Sequence, residues 1–289
     1  MNKSFKDNLI LILVAHACFF AEPVLVHAEN ANYDPQNFTQ PLSVARGTIM
    51  PAGSDALYLV PEQRCDFVVK EFGWAREGCD SIEQMIFLLT PDIDSAMFMK
   101  PASDGYVSLD DWEGGNLSEE IADIEASYKE QVRAQSERMG QPISFEGWLV
   151  FPQVDRTRNI LYYANILNWN GSRTINISIS KFDRKGFIPI KVVPSDSNVQ
   201  SDSVKDIVAA ATAAYVPKLG DSYAEFTSGD RVAGYGAVGV LATMLGVKYG
   251  KAATAGLIAA ALLFLKKAWF LLLLPLYWLK NLFRRKPNA

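Results

Sequence analysis

Histidine is almost absent from this sequence, and its scarcity excludes several kinds of catalysis. The 289 residues include 2 histidines, His16 and His27. Both lie before residue 29, in a segment whose pattern predicts a signal peptide that is removed. A mature chain without histidine cannot use a Ser-His-Asp or Cys-His arrangement and cannot bind zinc through imidazole. Any catalysis would depend on carboxylates, lysine, tyrosine or cysteine.

Cysteine is also scarce, with 3 residues in the chain. Cys18 lies in the predicted signal peptide, where an acylated lipoprotein cysteine is the weaker alternative because His16 fits that motif poorly. Cys65 and Cys79 remain, and in an oxidising compartment we predict that they form a disulfide. It would close a loop of about 15 residues, which stabilises a fold by ~3 kcal/mol. The alternative is two unrelated buried thiols, and two cysteines alone predict no metal site.

Basic residues are few in the middle of the chain and concentrated at its end. Residues 29–231 hold 30 acidic and 18 basic side chains, whereas residues 232–289 hold 8 basic and no acidic ones. Nucleic-acid binding requires clustered lysine and arginine, so we expect no nucleic-acid partner. The acidity indicates a soluble surface, and roughly 200 residues are enough for one sizeable core.

The N-terminus has the composition of a secretory signal peptide. Lys3 and Lys6 precede an apolar run over residues 9–26, and residues 26–28 provide a small-residue cleavage site. We therefore expect residues 1–28 to direct export, with the mature chain beginning at Glu29.

Residues 232–289 predict a membrane anchor. Three apolar stretches, 232–247, 252–265 and 268–279, are separated by lysines. Each is shorter than the ~20 residues that cross a bilayer core, although flanking lysines can reach the interface and lengthen the span. The basic end at 284–286 is expected in the cytoplasm, which requires one or three crossings, and one is favoured. These patterns predict a protein that contacts the lipid bilayer of the bacterial inner membrane, with its ectodomain, residues 29–231, in the periplasm.

Between these ends, residues 55–231 predict an α+β domain, preceded by a linker or loosely held segment at 29–54. Helical spacing of apolar residues predicts helices at 61–72, at 116–139, and from Ser201 to before Pro217. Alternating or β-rich runs predict strands at 84–90, 96–100, 145–150, 160–169, 173–181 and 187–193. This order predicts an antiparallel sheet with helices packed on one side, followed by C-terminal hydrophobic membrane helices. Isoleucines at 175, 177 and 179 alternate with polar residues, which predicts one buried and one solvent-exposed sheet face.

Turn and cap residues mark the ends of several predicted helices and strands. Asn170-Gly171 predicts a hairpin turn, and so does Asp104-Gly105. Asn116 is the predicted N-cap of the long helix, Glu119 completes a capping box, and Gly140 ends the helix.

Two segments match known functional motifs, but the predicted secondary structure around them does not fit those functions. Gly234–Gly239 fits G-x-G-x-x-G, but no strand precedes it and no acidic residue follows about 20 residues later, so nucleotide binding is not predicted. Small residues between packed membrane helices explain these glycines better. Ser178–Lys181 fits S-x-x-K, but in an alternating strand the serine and the lysine point to opposite faces. We therefore predict no cofactor and no catalytic residue.

An acidic segment provides the candidate interaction surface. Asp104, Asp110, Asp111 and Glu113 lie close in sequence but lack the spacing of a calcium loop. A solvated turn ahead of a helix explains them without any site. We take Asp104, Asp110 and Asp111, together with the exposed sheet face, as the first surfaces that a partner would contact. The aromatic residues of the strands indicate core packing more than a sugar-binding platform; they are Trp148, Tyr162, Tyr163 and Trp169.

Several short motifs, taken in order, resemble a family of bacterial membrane-anchored proteins of unknown function. The most specific is a Gly-Trp, Pro, Asp, Leu-Tyr signature formed by Gly147, Trp148, Pro152, Asp155, Leu161 and Tyr162. The others lie at 50–53 with 58–61, at 104–107 with 110–111, at 183–186, at 223–226 and at 232–236. The resemblance covers most of residues 50–289. Phe151 and Val154 depart from it, and so does the cysteine pair.

The resemblance implies an exported, anchored ectodomain and brings no established activity. It assigns no role to the signature residues, for which we expect a structural one. The leading hypothesis is a non-catalytic interaction or structural module of the cell envelope that binds another envelope protein. One alternative is a hydrolase of cell-wall glycan that uses a carboxylate pair such as Asp104 and Asp155. The other is a small-ligand sensor that relays binding through the tail.

Overall fold

The computed structural model describes residues 33–72, 76–90, 93–194 and 198–248. The predicted signal peptide, with His16, Cys18 and His27, lies outside the described residues. So do the apolar stretches 252–265 and 268–279 and the basic end of the chain. The expectations for these segments stay predictions.

The described residues form four α-helices and eleven strands. The helices are α1 Pro61–Phe72, α2 Leu117–Met139, α3 Ser201–Ala213 and α4 Ala237–Leu245. The strands are β1 Gln36–Asn37, β2 Leu42–Val44, β3 Gly47–Ile49, β4 Leu57–Tyr58, β5 Ile82–Thr90, β6 Ile93–Met99, β7 Ile143–Asp155, β8 Ile160–Trp169, β9 Ser172–Asp183, β10 Gly186–Val193 and β11 Tyr215–Pro217. Every predicted helix and strand of the ectodomain is found, and β7 continues past its predicted end at 150 to Asp155.

Eight strands form one sheet in the order β1-β4-β5-β6-β10-β9-β8-β7. All neighbouring pairs are antiparallel. This confirms the prediction of an α+β structure with an antiparallel sheet and helices. A smaller sheet, in the order β11-β3-β2, joins the N-terminal strands to residues 215–217.

Helices cover both faces of the large sheet, which corrects the prediction of helices on one side. On one face, the isoleucines of β9 pack with Val204, Ile207 and Val208 of α3. On the other face, α2 and α4 contribute to a second core cluster over β8, β9 and β10. Helix α1 packs over β5 and β6 in a third cluster on that same face. The core therefore lies in two layers, one on each side of the sheet.

The polar face of β9 is buried as a result. Ser178 and Ser180 are 3% and 1% exposed, whereas the alternation predicted a solvent-exposed face. The prediction is wrong because residues of α2, α4 and the second core cluster cover this face. Alternation shows that two faces differ in polarity, which holds here, but it does not show that the polar one contacts water. This sheet face is therefore closed to a partner.

One of the two predicted hairpins exists. Asn170 and Gly171 have φ values of 52° and 84°, as a type I′ turn requires, and they join β8 to β9. The hairpin at Asp104-Gly105 is wrong, because Tyr106 pairs in parallel with Val232. Gly105 has a φ of 110°, and a Cβ there would lie 2.7 Å from the carbonyl oxygen of Arg231. The glycine is thus needed for a close approach between distant segments.

Helix α2 ends as predicted but begins differently. Gly140 ends it in the left-handed conformation with φ 64°, as a C-terminal glycine does. The predicted capping box is wrong: the side chain of Asn116 makes no capping hydrogen bond. Its Nδ2 instead donates to Glu120 Oε1 at 2.6 Å.

Residues 232–248, which hydropathy assigns to the anchor, pack into the fold. Val238, Val240 and Leu241 of α4 are at most 2% exposed, and α4 contacts both α2 and β9. No helix within the part of the chain that the structure describes is both long and apolar enough to cross a bilayer.

Candidate functional site

A groove of about 600 Å³ lies between the β7–β8 turn and α3. The long β7–β8 hairpin carries its turn to the end of the sheet, and α3 packs against β7 and β9 beside it. Both walls present charged side chains. The residues that line the groove are Gln153, Val154, Asp155, Arg156, Arg158 and Tyr162 from the hairpin and Lys205, Asp206, Val208 and Ala209 from α3.

Asp155 forms the turn between β7 and β8. Its Oδ1 accepts hydrogen bonds from the N–H groups of Thr157 and Arg158 at 2.8 and 3.0 Å, and its Oδ2 accepts one from Arg158 Nη1 at 2.7 Å. Partial burial alone would raise the pKa of Asp155, but these bonds and the charge of Arg158 hold it below its usual value. An ionised carboxylate with both oxygens engaged stabilises a turn and is poorly suited to act as a general acid.

Basic side chains form much of the groove's rim. Arg156 Nη2 donates to the carbonyl oxygen of Leu109 at 2.9 Å and to Glu113 Oε1 at 2.7 Å. Lys205 is exposed on α3 and lines the opposite wall. Arg156 is thus paired with Glu113 and Arg158 with Asp155, whereas Lys205 on the opposite wall has no ion-pair partner among the described residues.

Tyr162 lies at the base of the groove. It is 6% exposed, its side chain belongs to the first core cluster, and it lines the groove. Burial raises the pKa of its hydroxyl, and the nearby charge of Asp155 raises it further. Tyr162 is therefore neutral at physiological pH and available as a hydrogen-bond donor.

The other signature residues shape the hairpin rather than the groove. Trp148 Nε1 donates to Glu125 Oε2 at 2.6 Å, which ties β7 to α2. Gly147, with φ 135°, and the buried Pro152 lie at two irregularities in the β7–β8 register. Such positions suit glycine and proline on an edge strand. Leu161 is 1% exposed in the second core cluster.

The acidic residues that were predicted to form one surface make different contacts in the structure. Asp104 accepts a hydrogen bond from the hydroxyl of Tyr235, and Glu113 pairs with Arg156. Asp110 is exposed. Among the residues whose placement is described, no three His, Cys, Asp or Glu side chains are grouped to hold a metal ion.

Asp111 binds the first residues of α4. Its Oδ1 accepts from the N–H of Ala237 at 2.9 Å and its Oδ2 from the N–H of Val238 at 3.1 Å. Burial raises the pKa of Asp111, and these two hydrogen bonds lower it in part. A Cβ at Gly236 would collide with this carboxylate. The helix N-terminus that a G-x-G-x-x-G motif would offer to a phosphate is thus occupied by the chain's own carboxylate.

The C-terminal part of α4 lies over a buried lysine. Lys191 Nζ donates to Ser178 Oγ at 2.8 Å and to the carbonyl oxygen of Met244 at 3.5 Å. Burial lowers the pKa of Lys191 to about 8. Ser178 therefore has a lysine neighbour from β10, whereas Lys181 donates to the carbonyl oxygen of Arg158. Since Ser178 is only 3% exposed, this pair supports α4 and offers no open nucleophile.

Over residues 40–277, the chain matches the family described as "Protein of unknown function (DUF2167)". The chain belongs to this family. No curated protein and no solved structure matches it. The resemblance to a family of unknown function is thereby confirmed at that level, and the function has to be argued from the geometry.

The region that matches the family contains the groove, Asp111 and Lys191. The sequence alone identified some of these residues and missed others. Asp155 and Tyr162 were singled out through the signature, and Asp111 as a surface acid. The groove's basic residues were missed, although Asp155-Arg156-Thr157-Arg158 is a dense charged turn. The sequence did not identify Lys191, because a single lysine within the apolar run 187–193 gives no indication that its side chain is buried.

Two further contacts stabilise the family region away from the groove. Cys65 and Cys79 form a disulfide with a Cα–Cα distance of 5.0 Å, which ties α1 to the following 3₁₀ helix, Arg76–Ser81. Arg46 Nη1 pairs with Asp183 Oδ1 at 3.0 Å, with side-chain exposures of 8% and 2%. Burial raises the pKa of Asp183, and the charge of Arg46 lowers it in part. Sequence reasoning missed this ion pair because Arg46 lies in the segment read as a linker.

Proposed function

We propose that the chain is a membrane-anchored protein of the bacterial envelope that acts by binding another envelope protein. In this proposal the ectodomain lies in the periplasm, the tail beyond residue 248 enters the inner membrane, and the basic end is cytoplasmic. The family match supports only membership of a family of unknown function. The finer proposal depends on how α4 joins the ectodomain to the tail.

Helix α4 is an integral part of the ectodomain. Its residues Ala237, Val238, Val240 and Leu241 are buried, Asp111 binds its first N–H groups, and Lys191 donates to a carbonyl near its end. Only a short stretch separates it from the apolar residues 252–265. A domain that only has to remain near a membrane can be held by a flexible linker. Direct attachment through a packed helix would give the ectodomain a defined orientation, which a protein needs in order to present one surface to a partner.

The surface best placed for this role lies around Asp110. Asp110 and Glu113 belong to the 3₁₀ helix that carries Asp111, and Glu119 follows in the first turn of α2. All three are exposed. A partner with a complementary basic surface would be favoured there, because electrostatic complementarity sets specificity and association rate.

Crosslinking of the tagged full chain in intact cells tests this proposal. We expect reproducible capture of one membrane or periplasmic protein by the wild type. Asp110→Lys should abolish that capture. Asp55→Lys, the same charge change at an exposed position before β4, should leave it intact. No specific capture, or equal capture by both variants, would contradict the proposed binding surface.

The two alternatives differ in their support. For the glycan hydrolase, Asp155 lines the groove and Asp104 does not, and Asp104 bonds instead to Tyr235, so no observation favours this pair. The small-ligand sensor is the second candidate, because the groove beside Tyr162 has a volume that would hold a small molecule.

A further inference from the structure

The groove between the β7–β8 turn and α3 presents many hydrogen-bond donors and few free acceptors. Arg156 and Arg158 each engage a single guanidinium nitrogen, which leaves most of their N–H groups available. Lys205 Nζ has no hydrogen-bond or ion-pair partner among the described residues. Both oxygens of Asp155 are already engaged, so Asp206 is the one carboxylate of the lining that keeps free acceptors.

Tyr162 adds a neutral hydrogen-bond donor to the groove. Its side chain is nine-tenths buried, whereas its hydroxyl, which bonds to no described residue, is accessible to solvent. Since Tyr162 lines the groove, a ligand bound there would accept a hydrogen bond from this hydroxyl in place of water.

The groove is richer in basic residues than the ectodomain as a whole. Residues 29–231 carry 30 acidic and 18 basic side chains, whereas three basic and two acidic residues line this groove. Glu113 and Asp155 compensate the two arginines, so Lys205 is the cation of the lining that can attract an anion without first leaving an ion pair.

We propose that this groove binds a small ligand through a carboxylate or phosphate group. Lys205 and Arg158 pair with the anionic group from opposite walls, and the Tyr162 hydroxyl donates a hydrogen bond from the base. The same group could belong to a free solute or to the headgroup of an anionic phospholipid. The inference does not depend on the protein partner proposed above.

Titration of the purified full chain in a neutral detergent tests the proposal. Inorganic phosphate and citrate are added at constant ionic strength, with chloride as the reference anion, and binding is followed by calorimetry. A second arm uses nanodiscs of phosphatidylglycerol or of phosphatidylcholine. Binding of a free anion identifies a soluble source, whereas binding restricted to phosphatidylglycerol identifies a lipid headgroup.

Three variants locate the site. Lys205→Glu should weaken binding by about tenfold or more, since it reverses a charge at the ligand. Tyr162→Phe removes only a hydroxyl and should weaken binding by about fivefold. Lys70→Glu makes the same charge change at an exposed position on α1, over the other end of the sheet, and should bind like the wild type.

The outcomes separate cleanly. Weakening by Lys205→Glu and Tyr162→Phe but not by Lys70→Glu, in either arm, supports the groove. Equal weakening by both lysine variants would show a general charge effect and overturn the proposal. Absence of binding in all arms would overturn it as well. Unchanged melting temperatures of the variants exclude unfolding as the cause.

Discussion

Gly234 and Gly236 provide a matched test of the contact between Asp111 and α4. Gly236 has a φ of −100°, which alanine adopts without strain, so an added methyl group would act only through its contacts. That methyl group would lie 2.6 Å from Asp111 Oδ1 and closer still to Oδ2 and Cγ. At Gly234, no atom lies within 4 Å of the corresponding position.

The expected cost of Gly236→Ala follows from these distances. To restore an ordinary contact, the carboxylate has to retreat by about 1 Å. Its hydrogen bonds to Ala237 and Val238, at 2.9 and 3.1 Å, would then exceed hydrogen-bonding distance. Each bond to a charged group contributes ~1.5 kcal/mol, so ~3 kcal/mol is lost. Alanine also restricts the unfolded chain more than glycine does, which stabilises the fold by up to ~1 kcal/mol. We therefore expect a net destabilisation of about 2 kcal/mol for Gly236→Ala, whereas Gly234→Ala has the same entropic gain without a collision and should be stabilised by up to ~1 kcal/mol.

Chemical denaturation of the full chain in a mild detergent, followed by tryptophan fluorescence, measures both variants. The denaturant midpoint should fall for Gly236→Ala at an unchanged slope. In an Asp111→Ala background the same glycine replacement should cost little, because the colliding group is gone. Equal stability of Gly234→Ala and Gly236→Ala would refute the contact between Asp111 and α4.

Two further perturbations test other buried contacts. Burial lowers the pKa of Lys191 from 10.5 to about 8, so the unfolded chain binds more protons between these values, and wild-type stability should rise with pH across this window. Lys191→Met should therefore be more stable than the wild type by up to ~3 kcal/mol at pH 7, less the lost hydrogen bonds, and about half of that advantage should disappear by pH 9.5. An advantage independent of pH would show that the fold does not lower the pKa of Lys191. Replacement of Cys65 and Cys79 by serine should cost ~3 kcal/mol, because their 14-residue separation restricts the unfolded chain. A reducing agent should lower the midpoint of the wild type to that of the double serine variant and leave the variant unchanged, and insensitivity of the wild type would count against the bridge.

Local patterns predicted the elements of this fold and little of their packing. Asn170-Gly171 specified its hairpin because both residues adopt positive φ. The buried face of β9 was read from its isoleucines, but nothing in the strand indicated that α2 and α4 would cover its serines. Gly105 was recognised as a residue of positive φ, although its partner, Arg231, lies far along the chain.

In the candidate site, too, contacts between residues close in sequence could be predicted, whereas contacts between distant residues could not. Asp155 and its turn are local, since the side chain bonds residues two and three positions later. Lys205 reaches the groove only through the packing of α3 on the sheet. Asp111 and Ala237 are 126 residues apart, and apolar composition alone assigned α4 to the membrane. Hydropathy cannot distinguish a helix buried in protein from one buried in lipid.

The buried pair of Arg46 and Asp183 has a consequence for the order in which the protein can fold. Its two side chains are 137 residues apart, and the Tyr215 hydroxyl that donates to the carbonyl oxygen of Arg46 is 169 residues away. During synthesis from the N-terminus, β3 can pair with β2, but its other edge stays open until β11 is available. The Arg46 guanidinium lacks its carboxylate until β9 is available. Contacts of such long range close slowly. During that interval the open strand edges are exposed to aggregation, so this ectodomain should depend on a holding chaperone more than a chain of equal size with local contacts does.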